Sequence, residues 1–168
     1  MSLPTRAHEQ AEAWHRNVLA NTQLLHYFMQ YRREHSMNGT LQAVAERMPV
    51  DRQRLALEGF FSIMEHWEIG NAVARRLLGS PAERTFYEWK KGKVGRIPED
   101  TLRRIGYIAG IWKGLQIVYS QPDLADSWVK RPNAFFGGQT PLQRMSAGDV
   151  TDLAAVRTYI DAARAPWS

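Results

Sequence analysis

Few side chains in this sequence could do chemistry. His8, His15, His26, His35 and His66 are scattered, and none forms an HExxH run or a close helical pair suited to zinc. Gly137-Gly138 could cradle a phosphate, but Gln139-Thr140 follows where a P-loop needs its Gly-Lys-Ser/Thr. The paired carboxylates Glu99 and Asp100 sit where a helix begins, so they read as helix-dipole partners rather than an acid–base pair. Cysteine is absent, which excludes disulfides and thiolate metal sites. The expectation is a protein that is not an enzyme, with no cofactor and no metal site.

Binding chemistry is better represented. The 168 residues carry a net charge of +5, and residues 70–97 alone account for as much. Arg75, Arg76, Arg84, Lys90, Lys91, Lys93 and Arg96 stand there against only Glu83 and Glu88. A polyanion would meet the protein at that stretch; a solvated helical surface is the plain alternative. The last third holds Trp112, Trp128, Phe135, Phe136, Tyr159 and Trp167 among short helices and a glycine loop. Trp112 and Trp128 read as core. Phe135, Phe136 and Trp167 are harder to bury locally and suit an interface.

The elements that must position these residues are helical throughout. Apolar spacing predicts helices over His8–Arg33, Thr40–Arg47, Asp51–Trp67, Ile69–Leu78, Ala82–Lys91, Pro98–Ser120 and Asp149–Ala163, and a short one that starts at Pro122, carries Leu124, Ala125 and Trp128, and is ended by Arg131-Pro132-Asn133. Gly79-Ser80-Pro81 and Gly92 stop two of them, and Asp149 or Ser146 caps the last. Ala134–Pro141 reads as an ordered loop. Expected core stripes are Leu55, Phe60, Ile63 and Trp67, then Leu102, Ile105, Ala109, Trp112, Leu115 and Tyr119, then Val150, Leu153, Val156 and Ile160. The fold class is therefore all-α. No apolar run approaches the ~18–20 residues of a membrane span, and Met1–Gln10 is too polar for a signal peptide. A cytoplasmic protein with no membrane partner is expected.

Two short helices joined at a glycine turn, over 69–92, have the layout of a helix-turn-helix, with Val73, Leu77, Leu78, Phe86 and Trp89 as its small core. Arg75, Arg76, Arg84, Thr85, Tyr87, Lys90, Lys91 and Lys93 are the candidate DNA contacts. Arg and Thr on the leading turns suit base edges; the lysines suit phosphates. Arg75 departs from the simple pattern, standing where a small residue usually lets the helices touch, and Ser80-Pro81-Ala82-Glu83 lengthens the turn. Short helix pairs also occur in proteins that bind no DNA.

Several motifs occur in a specific order. Trp67-Glu68-Ile69, "ARRLLG" at 74–79 and "TFYEWKKG" at 85–92 come first. "DTLRRI" at 100–105, "GIWKGL" at 110–115, Trp128 and Pro132-Asn133 follow, then "FFGGQTPLQRM" at 135–145 and "DLAAVRTYIDAARA" at 152–165. Over residues 67–165 the chain resembles Xre/MbcA/ParS-type antitoxins. The resemblance implies three regions: an extension over 1–48, an Xre-like helix-turn-helix domain over 49–106, and a toxin-binding domain over 107–168. It implies an antitoxin that binds a cognate RES-domain toxin, an NAD-degrading protein, and blocks its active site. It also implies repression of its own operon through operator DNA, as a homodimer within a larger complex. The expected toxin-binding residues are Trp128, Asn133, Phe135, Phe136, Arg144, Arg157, Arg164 and Trp167. Arg157, Arg164 and Trp167 are placed to fill the toxin's NAD pocket. The N-terminal helix, with Trp14, Val18, Leu25 and Phe28 on one side, either dimerises or packs back on the domain. The competing reading is a stand-alone helix-turn-helix regulator whose C-terminal domain binds a protein or a ligand. A third is an interaction module with a degenerate helix-turn-helix.

Overall fold

The structure is a computed structural model that describes residues 50–164. The helices expected over His8–Arg33 and Thr40–Arg47, the dimerisation face with Trp14, Val18, Leu25 and Phe28, and Trp167 lie outside the described residues. Within them the chain is all-α. The order is α1 (Val50–His66), α2 (Asn71–Leu77), α3 (Glu83–Lys90), α4 (Glu99–Val118), α5 (Pro122–Trp128), a 3-10 turn (Ala134–Phe136), α6 (Pro141–Met145) and α7 (Val150–Arg164).

Local chemistry sets the ends. The α2–α3 turn closes with Gly79 N–H donating to Arg76 O and Ser80 N–H to Arg75 O at 3.0 and 2.9 Å. Gly79 adopts φ +88° and Ser80 φ +57°, so the chain reverses through two left-handed residues. The same pattern ends α3 at Gly92, where Lys93 N–H reaches Glu88 O at 2.9 Å. Asp149 Oδ1 accepts from Thr151 N at 2.7 Å and caps α7, as expected. Pro98 proves to be the N-cap of α4 rather than part of its first turn. The expected 134–141 loop is followed by a helix, α6. Thr140 and Gln143 cap each other reciprocally, with Thr140 N–H to Gln143 Oε1 at 2.8 Å and Gln143 N–H to Thr140 Oγ1 at 3.0 Å.

The spine is α4, which packs against α1, α5 and α7. Of its expected stripe, Leu102, Ile105, Ala109, Trp112 and Leu115 are buried, whereas Tyr119 lies at the C-cap and is half-buried; Ile108 and Ile111 on further faces are buried as well. A helix covered on several sides needs apolar residues around most of its circumference. A division at 106/107 falls in the middle of α4, whose side chains are buried on both sides of that point. The described residues share one compact unit and one core.

Glycines set the α4–α7 approach. A Cβ on Gly114 would collide with Cγ2 of Ile160, which is buried and has nowhere to swing. A Cβ on Gly106 would meet open space. Gly114→Ala is therefore expected to destabilise the protein by about 1–3 kcal/mol through overpacking. Gly106→Ala is expected to stabilise it by about 0.5–1 kcal/mol through helix propensity. Urea unfolding midpoints moving in opposite directions would check both.

Candidate functional site

Two surfaces gather the residues singled out by sequence. The first is aromatic. Trp128 ends α5 and is only 8% exposed, so it serves as backing. Its ring stacks on Tyr159 of α7 at 5.9 Å. Phe135 and Phe136 lie with ring centroids 4.8 and 5.4 Å from Tyr159 and 5.2 Å from each other. Phe135 remains 67% exposed.

The loop that presents Phe135 is closed on Asn133. The Asn133 side chain accepts from Phe135 N at 2.9 Å, and its carbonyl accepts from Phe136 N and Gly138 N at 3.0 Å. Its own N–H donates to Gln139 O at 3.0 Å. An apolar ring held in water by a hydrogen-bonded turn has its ordering entropy already removed, which favours docking into a partner. Tyr159, the ring that joins the other three, was not among the expected contacts.

The arginines expected beside this surface are engaged. Arg144 pairs with the buried Asp152 at 2.9 Å and ties α6 to α7. Arg157 Nε donates to Asp161 at 2.7 Å, and its guanidinium lies where a side chain on Gly110 would be. Arg157 is thus a half-buried clasp between α4 and α7. Arg164 makes a longer 3.4 Å contact with the same Asp161.

The second surface is basic and centres on α3. Phe86 and Trp89 turn inward, with Phe86 edge-on to Phe61 of α1 at 5.6 Å. Arg84, Tyr87, Lys90 and Lys91 are exposed, and Thr85 is half-buried. Arg84 bonds Glu88 at 3.1 Å, and Lys90 bonds Asn71 at 2.8 Å across to α2. Arg75 is half-buried, and its Nη1 donates to Pro81 O at 2.8 Å, bracing the lengthened turn. That is the physical reason an arginine stands where the simple motif has a small residue. Arg76, Lys91, Lys93 and Arg96 are exposed and unpaired among the described residues. Arg96 belongs to the charge run and lies outside the expected contacts. The loop that carries it is pinned to α1, where the buried Gln53 accepts from Ile97 N at 2.9 Å.

A partly buried acid lies on α5. Burial pushes the Asp126 carboxyl above its ordinary 3.8, partly offset by the charge of His66 and by Trp112 and Gln116. Gln116 donates to it at 3.0 Å, whereas Trp112 Nε1 leans on it without closing a bond of ordinary geometry. A raised folded-state pKa means the native state holds this proton more tightly than the unfolded chain. The stability so gained is complete below pH 3.8 and is lost as pH rises through the raised value. Asp126→Asn is therefore expected to unfold at higher urea than the parent at pH 7, with the gap narrowing as pH falls toward 3.8.

Among the described residues no helix is long and apolar enough to cross a membrane, and no three His, Asp or Glu side chains are placed to hold a metal.

Comparison with known proteins places the aromatic surface within a recognised unit. Residues 114–165 match the family model described as the antitoxin Xre/MbcA/ParS C-terminal toxin-binding domain. The chain is also 44% identical over 108 residues to the uncharacterized protein y4oB of Sinorhizobium fredii (strain NBRC 101917 / NGR234). That alignment covers 64% of this chain and 83% of y4oB. No solved structure matches the chain.

Proposed function

From the premise that the chain belongs to the Xre/MbcA/ParS antitoxin family, we propose that it neutralises an NAD-degrading, RES-domain toxin by direct contact and represses its own operon. The observation that carries the first half is the coincidence of the toxin-binding match with a surface that holds Phe135 exposed and fixed. Phe135, Phe136 and Tyr159 make the contact, with Trp128 and Asn133 supporting them from behind. Neutralisation follows from occupancy: a bound antitoxin covers the toxin's NAD site and performs no chemistry of its own. Arg164, at the outer end of α7, is the described cation best placed to move, because its 3.4 Å contact is the weaker of the two on Asp161.

The second half rests on the unpaired cations Arg76, Lys91, Lys93 and Arg96 around α3. They would hold the operator phosphates, while Arg84, Thr85 and Tyr87 approach the bases from the leading turns of α3. One short helix reads too few bases for specificity, so repression calls for a homodimer. On this reading residues 49–106 supply the DNA surface and 107–168 the toxin surface, both built on the common core of α4. The protein then acts in the cytoplasm, where operator and NAD are both found.

A direct test is NAD hydrolysis by the purified RES-domain protein encoded beside this chain. Inhibition that is complete at a fixed molar ratio, with the two proteins eluting together, supports the proposal. Unchanged hydrolysis with excess antitoxin present contradicts it.

A further inference from the structure

The side chain of Arg104 is 8% exposed, yet it belongs to neither surface. Its Nε donates to Asp100 at 2.6 Å, one turn back on α4. Its Nη2 donates to Gly148 O at 3.0 Å, in the loop that leads into α7. The same guanidinium lies against the α2–α3 turn: a Cβ on Gly79 would stand 3.0 Å from Arg104 Nε and 3.3 Å from the Asp100 carboxylate. The turn is held from the same helix by Thr101, whose Oγ1 donates to Leu78 O at 3.2 Å. Nη1 is buried without a partner. A buried cation with one nitrogen unmet depends heavily on the bonds it does make.

We infer that Arg104 is a positioning residue that couples the start of α7 to the turn ahead of α3. The guanidinium is a rigid planar fork, so its hold on Gly148 O and its place over Gly79 are set together. Movement of the α6–α7 loop removes the Nη2 bond and lets the fork turn about Asp100. Gly79, the first of the two left-handed residues of the turn, then loses the surface it rests on. Because that turn aims α3, a change at the loop alters how the basic surface is presented. The consequence for DNA rests on the function proposed above, whereas the coupling itself does not.

Amide hydrogen exchange on the full chain tests it. Asp149→Ala removes the cap on Thr151 N–H at the start of α7 and, with it, a carboxylate whose charge acts on Arg104; it makes no contact with the turn itself. With Arg104 present, this change is expected to speed exchange at Gly79 and Ser80 about tenfold. In an Arg104→Met background the same change should move those amides by no more than about twofold. Amides in the middle of α1 keep their rates in both. If Arg104→Met does not fold, Arg104→Lys, whose single nitrogen does not reproduce the separate Nε and Nη2 bonds of the planar fork, serves in its place. Equal acceleration in both backgrounds, uniform acceleration at every amide, or no effect of Asp149→Ala would each overturn the coupling.

A duplex taken from upstream of the chain's own gene adds the functional arm. Asp149→Ala should weaken binding about tenfold with Arg104 and leave it unchanged without. A wild-type chain that ignores the duplex would overturn the DNA reading, while the exchange comparison still decides the coupling.

Discussion

Replacing Phe135 with alanine is expected to weaken the toxin complex about 30- to 1,000-fold, the loss of about 2–4 kcal/mol typical of a central aromatic anchor. The ring is 67% exposed, so its removal takes little from the core, and the variant should unfold at the same urea concentration as the parent. The fixed turn makes the effect large. Asn133 organises Phe135 N, Phe136 N and Gly138 N before any partner arrives, so binding pays no further ordering cost at the loop. Because the contact is apolar, the affinity should change little with salt. Titration of the toxin with each variant, beside circular dichroism of the free proteins, checks the effect. Unchanged affinity for Phe135→Ala would move the contact away from this surface.

The second large effect concerns the basic surface. Alanine at Arg76, Lys91, Lys93 and Arg96 together should weaken operator binding about 100- to 1,000-fold at low salt and flatten the dependence of log K on log salt by about 3–4 units. Among the described residues these four side chains are the exposed cations without protein partners around α3, so they are free to release counterions from phosphates. Arg75→Ala should behave differently. It removes the brace on Pro81 O, lowering stability while leaving the salt slope as it was. Toxin binding should survive the four-alanine variant, since none of the four touches the aromatic rings. A salt slope unaltered by the four changes would take the nucleic acid away from this face.

The sequence was most legible where local chemistry decides. Gly79-Ser80-Pro81 and Gly92 mark helix ends because few other residues adopt the left-handed turns that close α2 and α3. The capping box of Thr140 and Gln143 was equally local, yet the neighbouring glycines and proline made it read as loop. Legibility failed where the reason lies across the fold. One stripe along α4 was evident, whereas burial of Ile108 and Ile111 follows only from helices packed on several sides. The pairing of Arg157 with Asp161 is an ordinary one-turn spacing; what the sequence could not show is that Gly110 leaves room for the guanidinium. The interface role of Tyr159 is hidden in the sequence for the same reason. It joins rings from segments more than 20 residues away, and no periodicity along α7 reports that meeting.

On the proposed function, this chain protects a cell from a RES-domain toxin through the surface around Phe135. The most direct measurement is growth of cells expressing the RES-domain protein alone, with this chain, or with its Phe135→Ala, Phe136→Ala variant. The account predicts arrest in the first case, full growth with co-purification of both proteins in the second, and arrest again in the third, with the variant present at normal levels. Continued arrest with the intact chain present, or full rescue by the variant, would contradict it.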